Sequence, residues 1–338
     1  MMRAWKWIIG MLLLTAFFIA DLCIGSVHIS IAEIWSILTG KLDRNAPASI
    51  ILLEGRLPRV VTALIAGAAL PVAGLIMQTY FRNPVAGPDI LGISAGSGLF
   101  VAVVMLTSGT IFSATHFSDL SIVTAAIAGA FFMLLIILSV AGRLRDPIAL
   151  LLFGILFGMA ISAVVGVLQF FSEKGALKLF VMWTFGSLGG TTWPQIYLLL
   201  PVVLLAIAYA FRLAKPLNLL LLGESYAASM GVRVLQVRIG VIICTAIITG
   251  CITAYCGPIA FIGIAVPHLA RMLARTNDHF ILFPMCILSG IIIMLGCDML
   301  TLVPGGSAIL PLNAVTAVMG APFVVFILFR SRRMQKYF

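Results

Sequence analysis

Charged residues are scarce in this sequence, and their scarcity excludes a soluble fold. Asp, Glu, Lys and Arg make up 9% of the 338 residues, hydrophobic residues make up 62%, and the mean hydropathy is +1.19. Soluble domains carry about 25% charged residues, so this chain cannot cover a water-facing surface. In lipid, the backbone must satisfy its own hydrogen bonds through helices or a closed barrel. The apolar runs approach the ~20 residues of a spanning helix and lack the alternation of barrel strands, which predicts an all-α integral membrane protein.

Motifs for nucleotide binding and for catalysis are missing as well. The sequence has no G-x-x-x-x-G-K-[ST], no H-E-x-x-H and no G-x-S-x-G. The four histidines lie apart from one another, and the six cysteines form no C-x-x-C and are interpreted as small packing residues. We therefore predict that the chain is not an enzyme and binds no metal or cofactor. Any ATP-driven work must come from a separate subunit.

The net charge of +10 is explained by a membrane rather than by nucleic acid, because the cations are scattered between apolar runs. Ten spans are predicted, at about residues 5–24, 57–81, 90–108, 119–141, 148–171, 194–212, 237–256, 259–275, 280–300 and 312–330. If the N-terminus is cytoplasmic, six cations lie outside, namely Lys41, Arg44, Arg56, Arg59, Lys174 and Lys178. The other fifteen of the 21 Lys and Arg residues then lie inside. This distribution follows the positive-inside rule and predicts that both termini are cytoplasmic.

The longest inside segment, residues 213–237, is predicted to form a cytoplasmic element. Its middle, residues 223–231, is too polar to span and lies between two glycines. This pattern predicts a short helix at the membrane surface, with Gly231 as a left-handed C-cap. Residues 25–55 and 172–193 are outside segments long enough to fold on their own.

Small residues spaced four apart predict close helix packing. The pairs are Gly92/Gly96, Gly154/Gly158 and Gly186/Gly190. The spacing favours packing within one bundle over a dimer interface.

The few charged residues near span ends are candidates for function. Arg56 and Arg59 are three apart, on one helix face, at the predicted N-terminus of the second span, where the macrodipole disfavours cations. Snorkelling to headgroups, pairing with Glu54 and docking of an acidic partner or solute all remain open. Asp298 lies near the outer end of the ninth span, where it is a functional candidate or faces water. Asp89 is predicted to be the N-cap of the third span.

Short motifs in a consistent order resemble the permease subunits of iron-siderophore, haem and vitamin B12 ABC importers, the FecCD-type family. The resemblance covers most of the chain. Its motifs are Arg56-Leu-Pro-Arg59, Gly67-Ala-Ala-Leu70, Gly74-Leu-Ile-Met-Gln78, Asn83-Pro-Val-Ala-Gly-Pro-Asp89, Leu91-Gly-Ile-Ser-Ala-Gly96, Leu222-Gly-Glu-Ser-Tyr-Ala-Ala-Ser-Met-Gly-Val232, Gly257-Pro-Ile-Ala-Phe-Ile-Gly263, Val266-Pro-His-Leu-Ala-Arg271, Gly296-Cys-Asp298, Leu310-Pro311, Val315-Thr-Ala317 and Gly320-Ala-Pro-Phe323.

The resemblance implies a set of partners for the chain. Residues 1–338 would be a single transmembrane permease domain that pairs with a second copy of itself in the bacterial inner (cytoplasmic) membrane. Two ATPase subunits, which hold ATP and Mg²⁺, would bind the cytoplasmic face. An extracytoplasmic substrate-binding protein would dock outside. Nucleic acid is not an expected partner.

The resemblance also implies roles for individual residues. Arg56 and Arg59 would receive acidic side chains of the binding protein. The ATPase motion would be received by Gly223, Glu224, Ala228 and Gly231. Path-lining or structural roles are open for Asn83, Pro84, Pro267, His268, Asp298 and Asn313.

The chain departs from the family pattern at three positions. Leu302 stands where the family often has a further arginine, Ile309 stands in place of a glutamate, and Asn313 replaces a glycine. Leu302 puts the full docking contact set in doubt, whereas Asn313 fits either a path-lining or a helix-start role.

The sequence thus predicts an ATP-driven importer permease for a metal chelate that works by alternating access. Iron-siderophore is the first choice of cargo, and cobalamin or haem is the alternative. An ion-coupled secondary transporter is disfavoured because the acids cluster at predicted span ends and in loops. An intramembrane enzyme is disfavoured because no nucleophile–base pair is visible.

Overall fold

The described part of the chain is helical, as the composition predicts. A computed structural model describes residues 4–25, 27, 29–107, 119–144, 146–302 and 309–330, and these contain no strand beyond an isolated bridge between Leu302 and Ile309. The helices are α1 (Ala4–Cys23), α2 (Ile31–Leu38), α3 (Pro47–Ile50), α4 (Leu57–Tyr80), α5 (Ile93–Leu106), α6 (Asp119–Ala141), α7 (Pro147–Phe171), α8 (Lys174–Thr184), α9 (Trp193–Leu220), α10 (Glu224–Ser229), α11 (Val234–Cys256), α12 (Ile262–Ala274), α13 (His279–Thr301) and α14 (Leu312–Arg330).

Each predicted span coincides with a helix, but α5 and α12 are short, with 14 and 13 residues. Seven apolar segments are long enough to cross a membrane, namely Trp5–Cys23, Pro47–Tyr80, Leu120–Ala141, Pro147–Phe171, Trp193–Leu220, Val234–Cys256 and His279–Thr301. Shorter apolar helices occupy Ile93–Leu106, Ile262–Ala274 and Leu312–Phe326. A full crossing needs about 20 residues. The chain is therefore a multi-pass membrane protein, while the count of ten crossings and the cytoplasmic location of both termini stay predictions.

Helix α4 is the centre of the bundle. In its most apolar stretch 83% of the residues are buried, against 11% in α1 and 22% in α7. It packs against α9, α11, α12 and α13. A Cβ atom added to Gly67 would lie 2.8 Å from the carbonyl oxygen of Gly290 in α13, and one added to Gly74 would overlap the carbonyl of Gly263 in α12. These glycines let the helix backbones touch, which is how membrane helices gain packing energy.

The paired glycines of α5 and α7 pack inside this bundle, as predicted. Gly96 meets the backbone of Gly129 in α6, and Gly92 lies against Gly154 in α7. Gly186, from the third pair, instead lies in the loop after α8, where its φ of +70° favours glycine.

Helix α4 has no free N-terminus at Leu57. Helix α3 continues through a π-helical turn, Ile51–Arg56, directly into α4. Arg56 and Arg59 therefore lie within a continuous helical stretch. The predicted repulsion from a helix N-terminus is wrong, because that effect is confined to the first turn. The wider π-turn accommodates the apparent break at Gly55 and Pro58.

The cytoplasmic element predicted at residues 213–237 is shorter in the structure. Helix α9 continues to Leu220, and α11 begins at Val234. Arg212 marks the end of the apolar run but not the end of the helix. Helix α10 lies in the middle, as predicted, between Gly223 and Gly231, whose φ angles are +121° and +86°.

Residues 81–92 turn back into the bundle after α4. The carbonyl oxygen of Pro84 meets His268 of α12, and further along the segment Gly87 packs on Ile264 of the same helix. Gly92 lies against Gly154, seven residues into α7 and so about 10 Å from its start. Non-helical backbone at this depth is tolerated because protein surrounds it.

The start of α5 differs from the prediction. Gly92, with φ +73°, is the N-cap of α5, so the prediction that Asp89 caps this helix is wrong. Asp89 lies in a 3-10 turn and accepts a hydrogen bond of 2.5 Å from Ser94.

Candidate functional site

The candidate residues collect at the two opposite ends of the bundle. One end holds α10 and the C-terminus of α4, and we call it the α10 end. The other holds Arg59 and the C-termini of α1 and α13, and we call it the Arg59 end.

At the Arg59 end, Arg59 makes a two-pronged ion pair with Asp298 of α13. Its Nε and Nη2 each donate to a carboxylate oxygen at 2.7 Å, and Nη2 also donates to Thr301 Oγ1 at 2.7 Å. The side chain of Arg59 is 16% exposed and that of Asp298 only 1%. A bidentate pair at this burial joins α4 firmly to α13. The interpretation of Asp298 as facing water is therefore wrong.

Arg56 is turned towards α1 and serves its C-terminus. Its guanidinium donates to the carbonyl oxygens of Leu22 at 2.6 Å and Cys23 at 3.0 Å, and also to that of Val27. Carbonyls at a helix C-terminus have no intrahelical partner and need donors of this kind. Within the described residues neither Arg56 nor Arg59 forms an ion pair with Glu54, so that interpretation is not supported.

A second carboxylate lies beside this pair. Asp21 of α1 is buried, and within the described residues neither of its carboxylate oxygens has a hydrogen-bond partner. It interacts electrostatically with Asp298, Arg59 and Arg56. The Arg59 end therefore holds two arginines and two acids in one buried cluster that joins α1, α4 and α13.

At the α10 end, the predicted coupling residues lie on and around a surface helix. Within α10, Ala227 is buried against the bundle, whereas Ala228 is exposed. Glu224 is the first residue of α10, where an acid is favourable to the macrodipole. The helix thus has one anchored face and one open face.

The remaining polar candidates hold the inner structure together. His268 bonds the carbonyl oxygen of Pro84 at 2.7 Å, and Asn83 Oδ1 accepts from the backbone N–H of Val85 at 3.0 Å. Pro267 is buried within α12. The His268–Pro84 contact fixes the returning segment against α12, and the Asn83 contact stabilises the turn within that segment, which favours structural roles for these three residues.

Asn313 holds the start of α14. Its Oδ1 accepts from the N–H of Ala260 at 3.0 Å, and its own N–H donates to the carbonyl of Phe185 at 3.0 Å. Of the two roles left open for Asn313, the helix-start role is the one these contacts favour.

Several polar side chains at the α10 end were assigned no role from the sequence. Arg271 Nη1 donates to Gln78 Oε1 at 2.6 Å, and Gln78 Nε2 donates to the carbonyl of Ile264 at 3.0 Å. A second polar group consists of Asn218, Asp278 and His279. All of these residues lie near the end of an apolar run. At such a position a polar residue is easily assigned to solvent, so the sequence did not show that these side chains contact one another.

The comparisons with known proteins agree with one another. The model of the FecCD transport family matches residues 12–330. A vitamin B12 import system permease protein, BtuC, of Klebsiella pneumoniae is 34% identical over 332 residues, which cover 98% of this chain and 95% of the relative. The Citrobacter koseri protein of the same name is 34% identical over 290 residues, 86% of each chain. A solved structure, described as an inward-facing conformation of a metal-chelate type ABC transporter, superposes with a TM-score of 0.84 at 27% identity, covering 97% of this chain and all of that one.

Proposed function

Because the chain belongs to the FecCD transport family, we propose that it is the permease subunit of an ATP-driven importer that carries a large metal chelate across the bacterial inner membrane. The observation that carries the proposal is the family match over residues 12–330. A permease of an ABC importer is a transport subunit and not itself an enzyme. The missing phosphate-binding loop fits this division, because ATP and Mg²⁺ would then bind on separate subunits.

Two copies of the chain form the translocation path in this proposal. One cavity among the described residues, between α12, α13 and α14, has a volume of about 170 Å³ and an apolar lining. Binding sites for small molecules usually measure about 300–1,000 Å³. This cavity is therefore too small for a large chelate, and in the proposal the chelate passes between two copies of the chain.

The ATPase subunits bind the α10 end in this proposal. Gly223 and Gly231 bound α10, and Glu224 and Ala228 belong to its sequence, so the predicted coupling residues form one element. The exposed part of α10 is the contact surface and its buried face passes the motion on. Alternating access then follows as a shift between two arrangements of the bundle.

A substrate-binding protein docks at the Arg59 end in this proposal. Arg59 keeps 16% of its side chain exposed and could share its charge with an acid of the partner. Arg56 is more deeply placed, with its guanidinium on backbone carbonyls. Docking on either arginine therefore competes with hydrogen bonds that already exist within the chain. At Arg59, an acid of the partner would share the guanidinium with Asp298.

The cargo has two leading candidates. Iron-siderophore is the choice from the sequence, whereas the names of the relatives favour vitamin B12. At 34% identity the names support cobalamin without deciding between the two. Haem is a third candidate of the same class.

A reconstitution experiment tests the proposed function. The chain is purified with its neighbouring gene products, placed in liposomes, and assayed with radiolabelled cyanocobalamin and radiolabelled ferrichrome. We expect an ATPase to copurify and one label to accumulate only when ATP is supplied. Absence of an ATPase, with uptake driven by a proton gradient, would show an ion-coupled transporter instead.

The docking role of the arginines is tested separately. We expect the double variant Arg56→Glu, Arg59→Glu to bind the substrate-binding protein less tightly and to retain the ATPase subunits. The matched control reverses Lys41 and Arg44, two exposed cations predicted to lie on the same side. Equal affinity in all three proteins would exclude the arginines as docking residues and leave the permease function standing.

A further inference from the structure

Both ends of the segment that carries α10 are tied to the same turn of α4. Helix α9 leads into α10 and α11 leads out of it. The polar contacts of these two helices at the α10 end converge on residues 79–82, which are the last two residues of α4 and the two that follow it. We call these four residues the α4 junction.

The α9 side reaches the junction by two routes. Arg82 Nη2 donates to the carbonyl oxygen of Leu220, the last residue of α9, at 3.0 Å. Two residues earlier, Asn218 contacts His279 of α13, and the His279 ring bonds Thr79 Oγ1 at 2.8 Å. His279 and Thr79 are both buried.

The protonation of this relay follows from its partners. Asn218 Nδ2 donates to the Asp278 carboxylate at 2.7 Å, so its Oδ1 faces His279. That oxygen accepts from the backbone N–H of His279 at 3.0 Å and lies 2.5 Å from ring Nδ1. Nδ1 must therefore carry a proton, and in the neutral ring Nε2 accepts from the Thr79 hydroxyl. Each group in the relay has one orientation, which makes it a stiff link between α9 and α4.

The α11 side reaches the junction through Arg238. Its Nε donates to the Tyr80 hydroxyl, and its Nη1 donates to the carbonyls of Ala141 at 3.0 Å and Leu144 at 2.5 Å, at the end of α6. Arg238 lies in the second turn of α11 and is buried. The exit from α10 is thus linked to α4 and α6 together.

Helix α4 continues from the junction to the opposite end of the bundle. Its backbone touches α12 at Gly74 and α13 at Gly67, and Arg59 on its far end holds Asp298. A displacement at the junction therefore moves α4 against α13 along their whole contact, because packed backbones do not deform continuously.

We propose that the α4 junction transmits the movement of α10 to α4, with Thr79 and Tyr80 as positioning residues that hold α9 and α11 to it. This inference rests on the proposed function, because it assumes that ATPase subunits move α10. It adds side chains outside the α10 segment to the coupling route.

Thr79→Val and Tyr80→Phe test the inference, because each removes one hydroxyl and keeps the shape. The complex with its ATPase is reconstituted in nanodiscs, and hydrogen–deuterium exchange of residues 25–55 is compared with and without ATP and vanadate. We expect each variant to hydrolyse ATP at close to the wild-type rate. We expect the conformational equilibrium constant reported by the exchange change to fall about fivefold, the shift that corresponds to about 1 kcal/mol for one hydrogen bond.

Three matched variants separate coupling from simple structural support. Thr79→Ser keeps the hydroxyl and should restore the wild-type response. Thr249→Val removes a buried hydroxyl that has no partner in the described structure, and Tyr197→Phe removes an exposed one, so neither should alter the response.

Several outcomes would overturn the inference. A full nucleotide response in both Thr79→Val and Tyr80→Phe would do so, as would an equal loss in Thr249→Val. If wild-type protein binds no ATPase, the proposed function itself fails, and that result is visible before any variant is made. The two failures are therefore distinguishable.

Discussion

At the scale of single residues, the ion pair between Arg59 and Asp298 shows how a charge can be structural in lipid. Asp298 is almost completely buried and accepts two bonds from one guanidinium. Removing one partner of a buried pair leaves the other charge without compensation, which typically costs about 3–5 kcal/mol. Replacing both partners by apolar residues can be close to neutral.

We therefore expect Asp298→Asn to lower the free energy of unfolding by about 2–4 kcal/mol. This cost is below the range for a fully uncompensated charge, because Arg59 still donates to Thr301 and is partly exposed to solvent. Thermal unfolding in detergent measures the change. The double variant Arg59→Met, Asp298→Leu should recover much of the loss. If the destabilisation of the double variant equalled the sum of the destabilisations of Arg59→Met and Asp298→Leu, the pairing would be contradicted. Asp43→Asn, at an exposed acid, serves as the control.

The pairing of Arg59 with Asp298 could not be predicted from the sequence. The scarcity of charged residues directed attention to Arg56, Arg59 and Asp298, whose docking and path-lining roles stay predictions. The two members of the pair are 239 residues apart, and no local pattern shows which of the few charges meet. Glu54, the neighbour in sequence, was the natural guess, and it is exposed in the structure.

At the scale of helices, close backbone contact decides where side chains are allowed. Gly74 in α4 lies against Gly263 in α12, and an added Cβ would overlap a carbonyl group. Overpacking of this kind usually costs about 1–3 kcal/mol and sometimes more. Gly98 in α5 has no atom within 4 Å of such a Cβ, so it offers the opposite case in the same bundle.

We expect Gly74→Ala to lower the thermal stability of the purified protein, since α4 and α12 must move apart. Gly98→Ala should be neutral or raise stability by up to about 1 kcal/mol, because alanine restricts the unfolded chain and favours helix. Unfolding curves of the two variants side by side make the comparison. Equal stability of the two would mean that the α4–α12 contact is looser than the structure shows.

Helices were the most predictable elements, because an apolar run in lipid has few alternatives. The ends were less predictable. The continuous path from α3 through the π-turn into α4 was hidden by Pro58, and the extension of α9 to Leu220 was hidden by Arg212. The return of residues 81–92 into the bundle depends on contacts with α7 and α12 that only the tertiary structure brings together.

At the scale of the whole molecule, the proposed function requires one end of the bundle to be cytoplasmic. Six cations were counted as outside and fifteen as inside, and this distribution predicts that the α10 end faces the cytoplasm. The structure supports one part of this prediction, because α10 and Arg59 do lie at opposite ends.

Labelling with a membrane-impermeant thiol reagent decides the orientation. Asn45→Cys lies on the loop before α3, and Ser229→Cys lies at the end of α10, and both positions are exposed. In intact spheroplasts we expect the reagent to label position 45 and not position 229, and in lysed cells to label both. The wild-type protein is the control, because four of its six cysteines are buried and all are free. Labelling of position 229 in intact cells would place α10 outside, where no ATPase could reach it, and would remove the basis of both the coupling role and the α4 junction.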